Sequence, residues 1–190
     1  MKPLKKYIAY SLSLSMILFA SSAFTKNSTV QNDHKIENNK AIHKPSVFSA
    51  YYNTHFKNNS KTAKVIITRT GSQCMYNAGP SDDIILLPQQ EKNFRLEDNN
   101  NLFDNCHSID KWVTWSIEYY KASAWGKHCN VKLRTAYIDM MTGWRTYFTP
   151  DTADTECEIP IKFICDDNES NCKNGYVSHD GTQITMEITE

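Results

Sequence analysis

Six cysteines, an even number, follow an N-terminal segment that has the pattern of an export signal. In an oxidising compartment such a set predicts three disulfides, which stabilise small domains whose apolar core is limited. Because short loops close at the least entropic cost, we expect each cysteine to pair with the next one along the chain. The predicted bridges are Cys74–Cys106, Cys129–Cys157 and Cys165–Cys172.

The N-terminal segment contains the three parts of a signal peptide. Three lysines precede an apolar stretch from Ile8 to Ala20, and small residues follow it as far as Ala23. Serines interrupt the apolar stretch, which is shorter than the roughly 20 residues of a membrane-spanning helix. We therefore expect residues 1–23 to be removed after Ala23. The mature protein would then be secreted, without a transmembrane segment.

Charge and cysteine spacing argue against two classes of partner. Removal of residues 1–23 takes away three of the 21 basic residues and none of the 21 acidic ones, which leaves a net charge of −3. The remaining basic residues are dispersed among the acids, whereas nucleic-acid binding needs basic clusters. No two cysteines have the C-x2-C spacing of a zinc site. We expect no nucleic-acid partner, no metal and no cofactor.

The acidic segment from Asp166 to Glu169 resembles the start of a calcium-binding loop. The positions that would hold the loop's glycine and its closing glutamate are Asn171 and Val177, so the pattern is incomplete. We interpret the segment as a solvated turn closed by the bridge between Cys165 and Cys172, with a weak calcium site as the alternative.

The sequence beyond the signal divides into a leader and one domain. Residues 24–45 are rich in Asn and Lys and have almost no apolar content, which predicts a flexible polar leader. The domain then covers residues 46–190. Its first segment, SVFSAYYNTHFK, has apolar residues at helical spacing behind a serine that can cap a helix, so we expect a short N-terminal helix there.

The rest of the domain has the pattern of an all-β protein. Short segments rich in Val, Ile, Thr and aromatic residues alternate with clusters of Gly, Pro, Asn and Asp. We expect two antiparallel sheets packed as a β-sandwich, with a small β-barrel as the alternative. Because Pro160 lacks an amide hydrogen, its strand is expected at a sheet edge or bulge. The predicted strands are residues 63–70, 74–77, 83–87, 93–97, 111–120, 128–139, 144–149, 156–165 and 183–189.

All four tryptophans lie within residues 112–144, and this aromatic segment is the candidate binding region. Residues 111–120 also fit a helical stripe, but their aromatic and β-branched content favours a strand. Such a strand has a core face, which carries Val113, Trp115, Ile117 and Tyr119. Its other face has an aromatic residue at each end and polar groups between, as sugar- or headgroup-binding surfaces do. The candidate ligand-binding residues are Trp112, Tyr120, Tyr137 and Trp144. The alternative is that Trp112 and Tyr120 pack under a loop.

Motifs for catalysis are missing from the sequence: it has no nucleophile elbow, no zinc-protease motif and no phosphate-binding loop. His107 and His179 lie beside carboxylates and can act as acids or bases, but we interpret them as surface turn residues. Missing motifs favour binding over catalysis.

The Asn- and Lys-rich composition resembles that of small exported proteins of Gram-negative bacteria. We expect a secreted, non-enzymatic binding protein, an exported bacterial effector that contacts a glycan, lipid or protein surface of a host or envelope through its aromatic segment. One alternative is a secreted hydrolase with a site built from scattered His and Asp or Glu residues. Another is a protein that inserts into membranes.

Overall fold

The computed structural model describes residues 49–121, 126–151 and 157–190. The predicted signal peptide, the predicted leader and Trp125 lie outside these ranges. Within them, ten strands form two five-stranded sheets, and one short helix follows the ninth strand. The elements are β1 (Tyr51–Asn58), β2 (Lys64–Gln73), β3 (Met75–Asn77), β4 (Ile84–Leu86), β5 (Glu91–Asp98), β6 (Lys111–Tyr120), β7 (Lys127–Tyr137), β8 (Trp144–Pro150), β9 (Ile161–Cys165), α1 (Glu169–Asn174) and β10 (Thr182–Ile188).

The two sheets confirm the predicted all-β sandwich. The first sheet has the strand order β3-β5-β1-β10-β9, and the second has the order β4-β2-β6-β7-β8. All neighbouring strands run antiparallel except β1 and β10, which are parallel. Both sheets remain open over the described ranges, so the alternative of a closed barrel is wrong. Pro160 immediately precedes β9, which is an edge strand as expected.

Side chains from the inner faces of both sheets form one core. The ring of Phe56, from the first sheet, meets that of Trp115, from the second, edge to face at a centroid distance of 5.4 Å. Phe148 and Phe163 make a similar contact across the sheets at 4.8 Å. The predicted alternation in β6 is confirmed, because all four residues assigned to its core face are buried.

The expected N-terminal helix is wrong, because residues 51–58 form the central strand β1. This strand pairs with β5 on one side and with β10 on the other. Its inward positions include Thr54 and Asn58, whose polar side chains hide the alternation in the sequence. Asn58 donates from Nδ2 to the carbonyl oxygens of Ala63 and Leu86 at 2.7 and 3.2 Å, which offsets the cost of its burial.

The three predicted disulfides are present, and all six cysteines are paired. The Cys74–Cys106 bridge joins the end of β2 to the loop between β5 and β6. Cys129 lies in β7 of the second sheet, and its partner Cys157 lies in the segment that leads to β9 of the first sheet. This bridge therefore connects the two sheets covalently. The Cys165–Cys172 bridge holds α1 against β9.

The acidic segment after β9 begins with the expected exposed turn at Asp166 and Asp167, and the short helix α1, which was not expected, follows it. Asn168 caps this helix by accepting a hydrogen bond from the backbone amide of Ser170 at 2.9 Å. Glu169 forms an ion pair with Lys162 at 2.7 Å. The ranges described contain no cluster of three or more His, Cys, Asp or Glu residues suited to a metal. None of the helices described is long and apolar enough to span a membrane.

Candidate functional site

A groove of about 590 Å³ crosses the outer face of the second sheet. Strand register places one residue from each of three neighbouring strands in a row: Trp112 of β6, Arg134 of β7 and Tyr147 of β8. The next row along the strands contains Lys132 and Thr149. All five side chains line the groove, so two aromatic rings flank two cationic groups.

Both aromatic rings of the groove lie on glycines. A methyl group added to Gly71 would come within 3.1 Å of the Trp112 indole, and one added to Gly175 would come within 2.6 Å of the Tyr147 ring. Gly71 follows a bulge in β2, and Gly175, with φ of 81°, ends α1. Trp112 also donates from Nε1 to Oε1 of Gln73 at 2.7 Å. These contacts hold the rings in place before any ligand arrives.

One cationic side chain of the groove is paired with a carboxylate, and another is not. Arg134 donates from Nε and Nη2 to the same carboxylate oxygen of Asp110, at 2.9 and 2.6 Å. The ammonium group of Lys132 lies 5.1 Å from the centroid of the Trp112 ring and has no hydrogen bond or ion pair with any described residue. Lys173 of α1 adds a third positive charge to the lining. Lys132 is therefore free to contact an anionic group.

A second concavity, the end cleft, lies at the end of the sandwich where β6 begins and β7 ends. It has a volume of about 660 Å³. Asp98 lines it and is only 3% exposed; it accepts hydrogen bonds from the backbone amide of Ala50 at 2.7 Å and from Asn100 at 3.2 Å. Burial raises the pKa of Asp98 to about 6. A carboxyl with this pKa can hold or release a proton near neutral pH.

Lys111 lies behind the end cleft and is almost completely buried. Its ammonium group has no hydrogen-bond partner among the described residues and lies over the ring of Trp144. Burial lowers the pKa of Lys111, while the negative charge of Asp98 acts in the opposite direction. Lys111 and Asp98 therefore form an electrostatically coupled pair without direct contact.

Hydroxyl groups connect the two sheets beside the end cleft. Tyr52 of the first sheet contacts Thr135 and Thr146 of the second through its phenolic oxygen, at 3.0 and 3.5 Å, and Ser178 at 3.4 Å. Burial raises the pKa of Tyr52, so this phenol stays protonated. The cluster adds a hydrogen-bonded layer beside the buried charges of Asp98 and Lys111 at this end of the core.

Two of the candidate histidines, His107 and His179, both line the end cleft together with Asp98 and Asp180. Nε2 of His179 lies 3.3 Å from a carboxylate oxygen of Asp166. His128 lies elsewhere, on the outer face of the second sheet, with its Nε2 at 2.9 Å from the hydroxyl oxygen of Ser116. His107 and His179 therefore line one cleft, whereas His128 does not.

The four predicted ligand-binding residues lie in three places. Trp112 belongs to the groove. Tyr137 and Trp144 pair across the β7–β8 hairpin with ring centroids 5.7 Å apart, and Trp144 lines the end cleft. Tyr120 lies at the opposite end of β6, where its hydroxyl donates to Glu118 at 2.5 Å. The four side chains do not form one continuous face.

Residues that sequence reasoning missed complete both concavities. Lys132, Arg134 and Tyr147 share the outer face of neighbouring strands with Trp112, but strand register is needed to align them. Lys111 was detectable, because alternation in β6 places it on the same face as Val113. Asp98 gives no signal in the sequence, since its burial depends on contacts with distant residues such as Ala50.

No protein-family model matches the chain, and no curated protein is significantly similar to it.

Proposed function

We propose that this chain is a secreted, non-enzymatic binding protein whose groove binds an acidic glycan, a saccharide that carries carboxylate or sulfate groups. The observation that supports this most is the row of Trp112, Arg134 and Tyr147 with Lys132 beside it. Sugar rings present flat C–H faces that stack on aromatic rings, and anionic substituents pair with Lys and Arg. The groove offers both kinds of contact within one surface.

The fixed position of the two rings supports binding further. Side chains that are already held in place lose little conformational entropy when a ligand binds. Gly71 and Gly175 provide the space in which these rings are held. The groove volume is also within the range of small-ligand sites, which is about 300 to 1,000 Å³. A single strand of a few sugar units would therefore fit along it.

The cysteine pairing supports function outside the cytoplasm. Structural disulfides persist in secreted and periplasmic proteins and are rare in the cytosol. Together with the signal-peptide pattern of residues 1–23, the three bridges favour export of the domain. An effector of this kind would attach to acidic glycans of a host or envelope surface. Recovery of exported protein that begins near Phe24 would test this part of the proposal.

Binding is tested with the exported protein, a sulfated glycan, a polyuronate and neutral dextran, in parallel with thermal melting. Trp112→Ala should weaken binding to an acidic glycan by tenfold or more with little change in melting temperature. Lys132→Gln should weaken binding several-fold and reduce its salt dependence. Neutral dextran should bind weakly to all forms.

Tyr120→Ala is the matched control, because Tyr120 is an exposed aromatic residue on the same face but outside the groove. It should leave glycan binding unchanged. Equal losses in the Trp112 and Tyr120 variants, or no binding to any acidic glycan, would contradict the groove as the site.

A second candidate function is hydrolysis in the end cleft. The specific observation in its favour is that Asp98, with its pKa near 6, lines the cleft together with His107 and His179. If the cleft is catalytic, Asp98→Asn should abolish turnover of a hydrolysable ester or glycoside, whereas Trp112→Ala should not affect it. Retained hydrolysis in the Asp98 variant would exclude this role.

A further inference from the structure

Two loops at one end of the sandwich expose apolar side chains almost completely. Phe103, in the loop between β5 and β6, is 92% exposed, and Met140 and Met141, in the β7–β8 hairpin, are 94% and 98% exposed. Leu102 and Ile138 are exposed beside them. We call these five residues the apolar tip. Both loops leave the same end, because Asp110, which ends the first loop, pairs with Arg134 near the end of β7.

The backbone of each loop is ordered, so the exposure is built into the fold. Asn101 accepts a hydrogen bond from the amide of Phe103 at 2.9 Å, and the next cysteine, Cys106, is fixed to Cys74. In the hairpin, one carboxylate oxygen of Asp139 accepts the amides of Met141 and Thr142 at 2.9 and 2.6 Å. These turns present Phe103 and the two methionines outward.

The side chains of the β7–β8 hairpin change from apolar to aromatic to cationic with increasing distance from the turn. Met140 and Met141 come first, and the amphipathic pair of Tyr137 and Trp144 follows at the base of the turn. Arg145 is next along β8. Apolar, aromatic and cationic groups follow the same order through a lipid interface, where Trp and Tyr prefer the headgroup level and arginine reaches phosphates.

Charge at the tip is close to balanced. Asp110 is paired with Arg134, and the positive charge of Arg145 acts on Asp139. Asp104 accepts a hydrogen bond from the amide group of Asn99. Acidic side chains at the tip argue against attraction to an anionic surface, whereas a zwitterionic surface tolerates them.

We propose that the apolar tip inserts into the interface of a zwitterionic lipid bilayer. Side chains that project from the surface on nearly all sides become buried either in preformed pockets of a partner or in a medium that deforms around them. Acyl chains and headgroups supply such a medium without pockets, and the aromatic pair behind the methionines fits the level of the headgroups. Ile138 of the tip also lines the groove that carries the proposed glycan binding, but Phe103, Met140 and Met141 do not, so either activity can be lost alone.

The exported protein is tested on vesicles of phosphatidylcholine, with and without added phosphatidylglycerol. Wild-type protein should sediment with both kinds of vesicle and show a blue shift of tryptophan emission as Trp144 enters the interface. The triple variant Phe103→Ser, Met140→Ser and Met141→Ser should lose binding to phosphatidylcholine by tenfold or more. Removing the three most exposed side chains leaves the core contacts intact.

The matched control is Ile85→Ser with Leu87→Ser, which removes two apolar side chains that are 53% and 50% exposed at the opposite end of the sandwich. This control should bind vesicles as the wild type does. The proposal is overturned by no vesicle binding, by binding that requires phosphatidylglycerol, or by equal loss in the control. Self-association in lipid-free solution that the triple variant abolishes would overturn it in favour of a contact with a second copy.

Discussion

The ammonium nitrogen of Lys111 lies 3.4 Å from the centroid of the Trp144 ring. Lys111 is 1% exposed, and within the described structure its ammonium has no hydrogen-bond partner. A cation over an indole gains about 2 kcal/mol when desolvated, whereas the desolvation of a buried ion costs several kcal/mol. The contact therefore compensates only part of the cost, and the positive charge destabilises the folded state.

Replacing Lys111 by Met should increase stability. Methionine is one atom shorter than lysine but retains most of its apolar packing and removes the buried charge, so the free energy of unfolding at pH 7 should rise by about 1 to 3 kcal/mol. Denaturant unfolding measures this change. Lys132→Met is the control, because Lys132 lies over Trp112 on the outer face and should change stability by less than about 0.5 kcal/mol. A loss of stability in the Lys111 variant would show that the ring contact outweighs desolvation.

Protonation of Asp98 should stabilise the folded state at acidic pH. Its folded pKa of about 6 is above its ordinary value of 3.8, mainly because of burial, so the folded state binds the proton more tightly. The stabilisation is complete below about pH 4 and is lost as the pH rises through 6. Asp98→Asn keeps the acceptor for Ala50 and should exceed wild type at pH 7 by on the order of 2 to 3 kcal/mol, with no difference at pH 4.

Unfolding of the wild type and of Asp98→Asn, followed from pH 4 to pH 8, checks this prediction. Asp82→Asn is the control, because Asp82 is exposed and should give the same pH profile as the wild type. A difference between the Asp98 variant and the wild type that stays constant with pH would contradict the raised pKa.

The disulfides should differ in their contribution to stability. The Cys129–Cys157 bridge spans 28 residues and joins the sheets, whereas the Cys165–Cys172 bridge spans seven. Chain-entropy arguments give about 3.5 kcal/mol for the longer loop and about 2.5 kcal/mol for the shorter. Double Cys→Ala variants at each bridge, compared by denaturant unfolding, should keep this order. Thiol labelling of native, unreduced protein at two or more cysteines would contradict the pairing itself.

Truncation of two tryptophans that are three residues apart should destabilise the fold to very different extents. Trp115 is fully buried between Phe56 and Phe148, so Trp115→Ala should cost about 3 to 5 kcal/mol through lost transfer energy and the cavity left behind. Trp112→Ala removes a half-buried ring from the outer face and should cost less than about 1.5 kcal/mol. Thermal melting of both variants measures the contrast, and similar losses would place Trp112 in the core.

Residue composition and turn signals predicted most strands. Alternation of apolar and polar residues supported β6 from Val113 to Tyr119 and β10 from Ile184 to Ile188, although Lys111 and Thr182 also occupy inward positions. It failed for β1, where Thr54 and Asn58 occupy inward positions. Each is polar, so the remaining apolar residues have helical spacing by coincidence. Only the tertiary structure, in which Asn58 bonds to carbonyls of other segments, explains why polar residues are tolerated there.

The candidate sites were less accessible to sequence reasoning than the strands. The groove depends on the register of β6, β7 and β8, which places Trp112, Arg134 and Tyr147 in one row although they are far apart in sequence. The apolar tip depends on exposure, and a sequence does not distinguish an exposed methionine from a buried one. Tyr120 lies on the same face of β6 as Trp112, as predicted, but outside the groove, because alternation gives the face of a residue but not its neighbours.

The parallel pairing of β1 with β10 sets the order in which the first sheet can form. β1 has one neighbour, β5, close behind it in the chain, but the other is the last strand described, with Tyr52 opposite Thr182. During synthesis, which proceeds from the N-terminus, one edge of β1 stays unpaired until β10 has been made. Contacts of such sequence separation form slowly. Folding of this sheet therefore waits until nearly the whole domain has been synthesised.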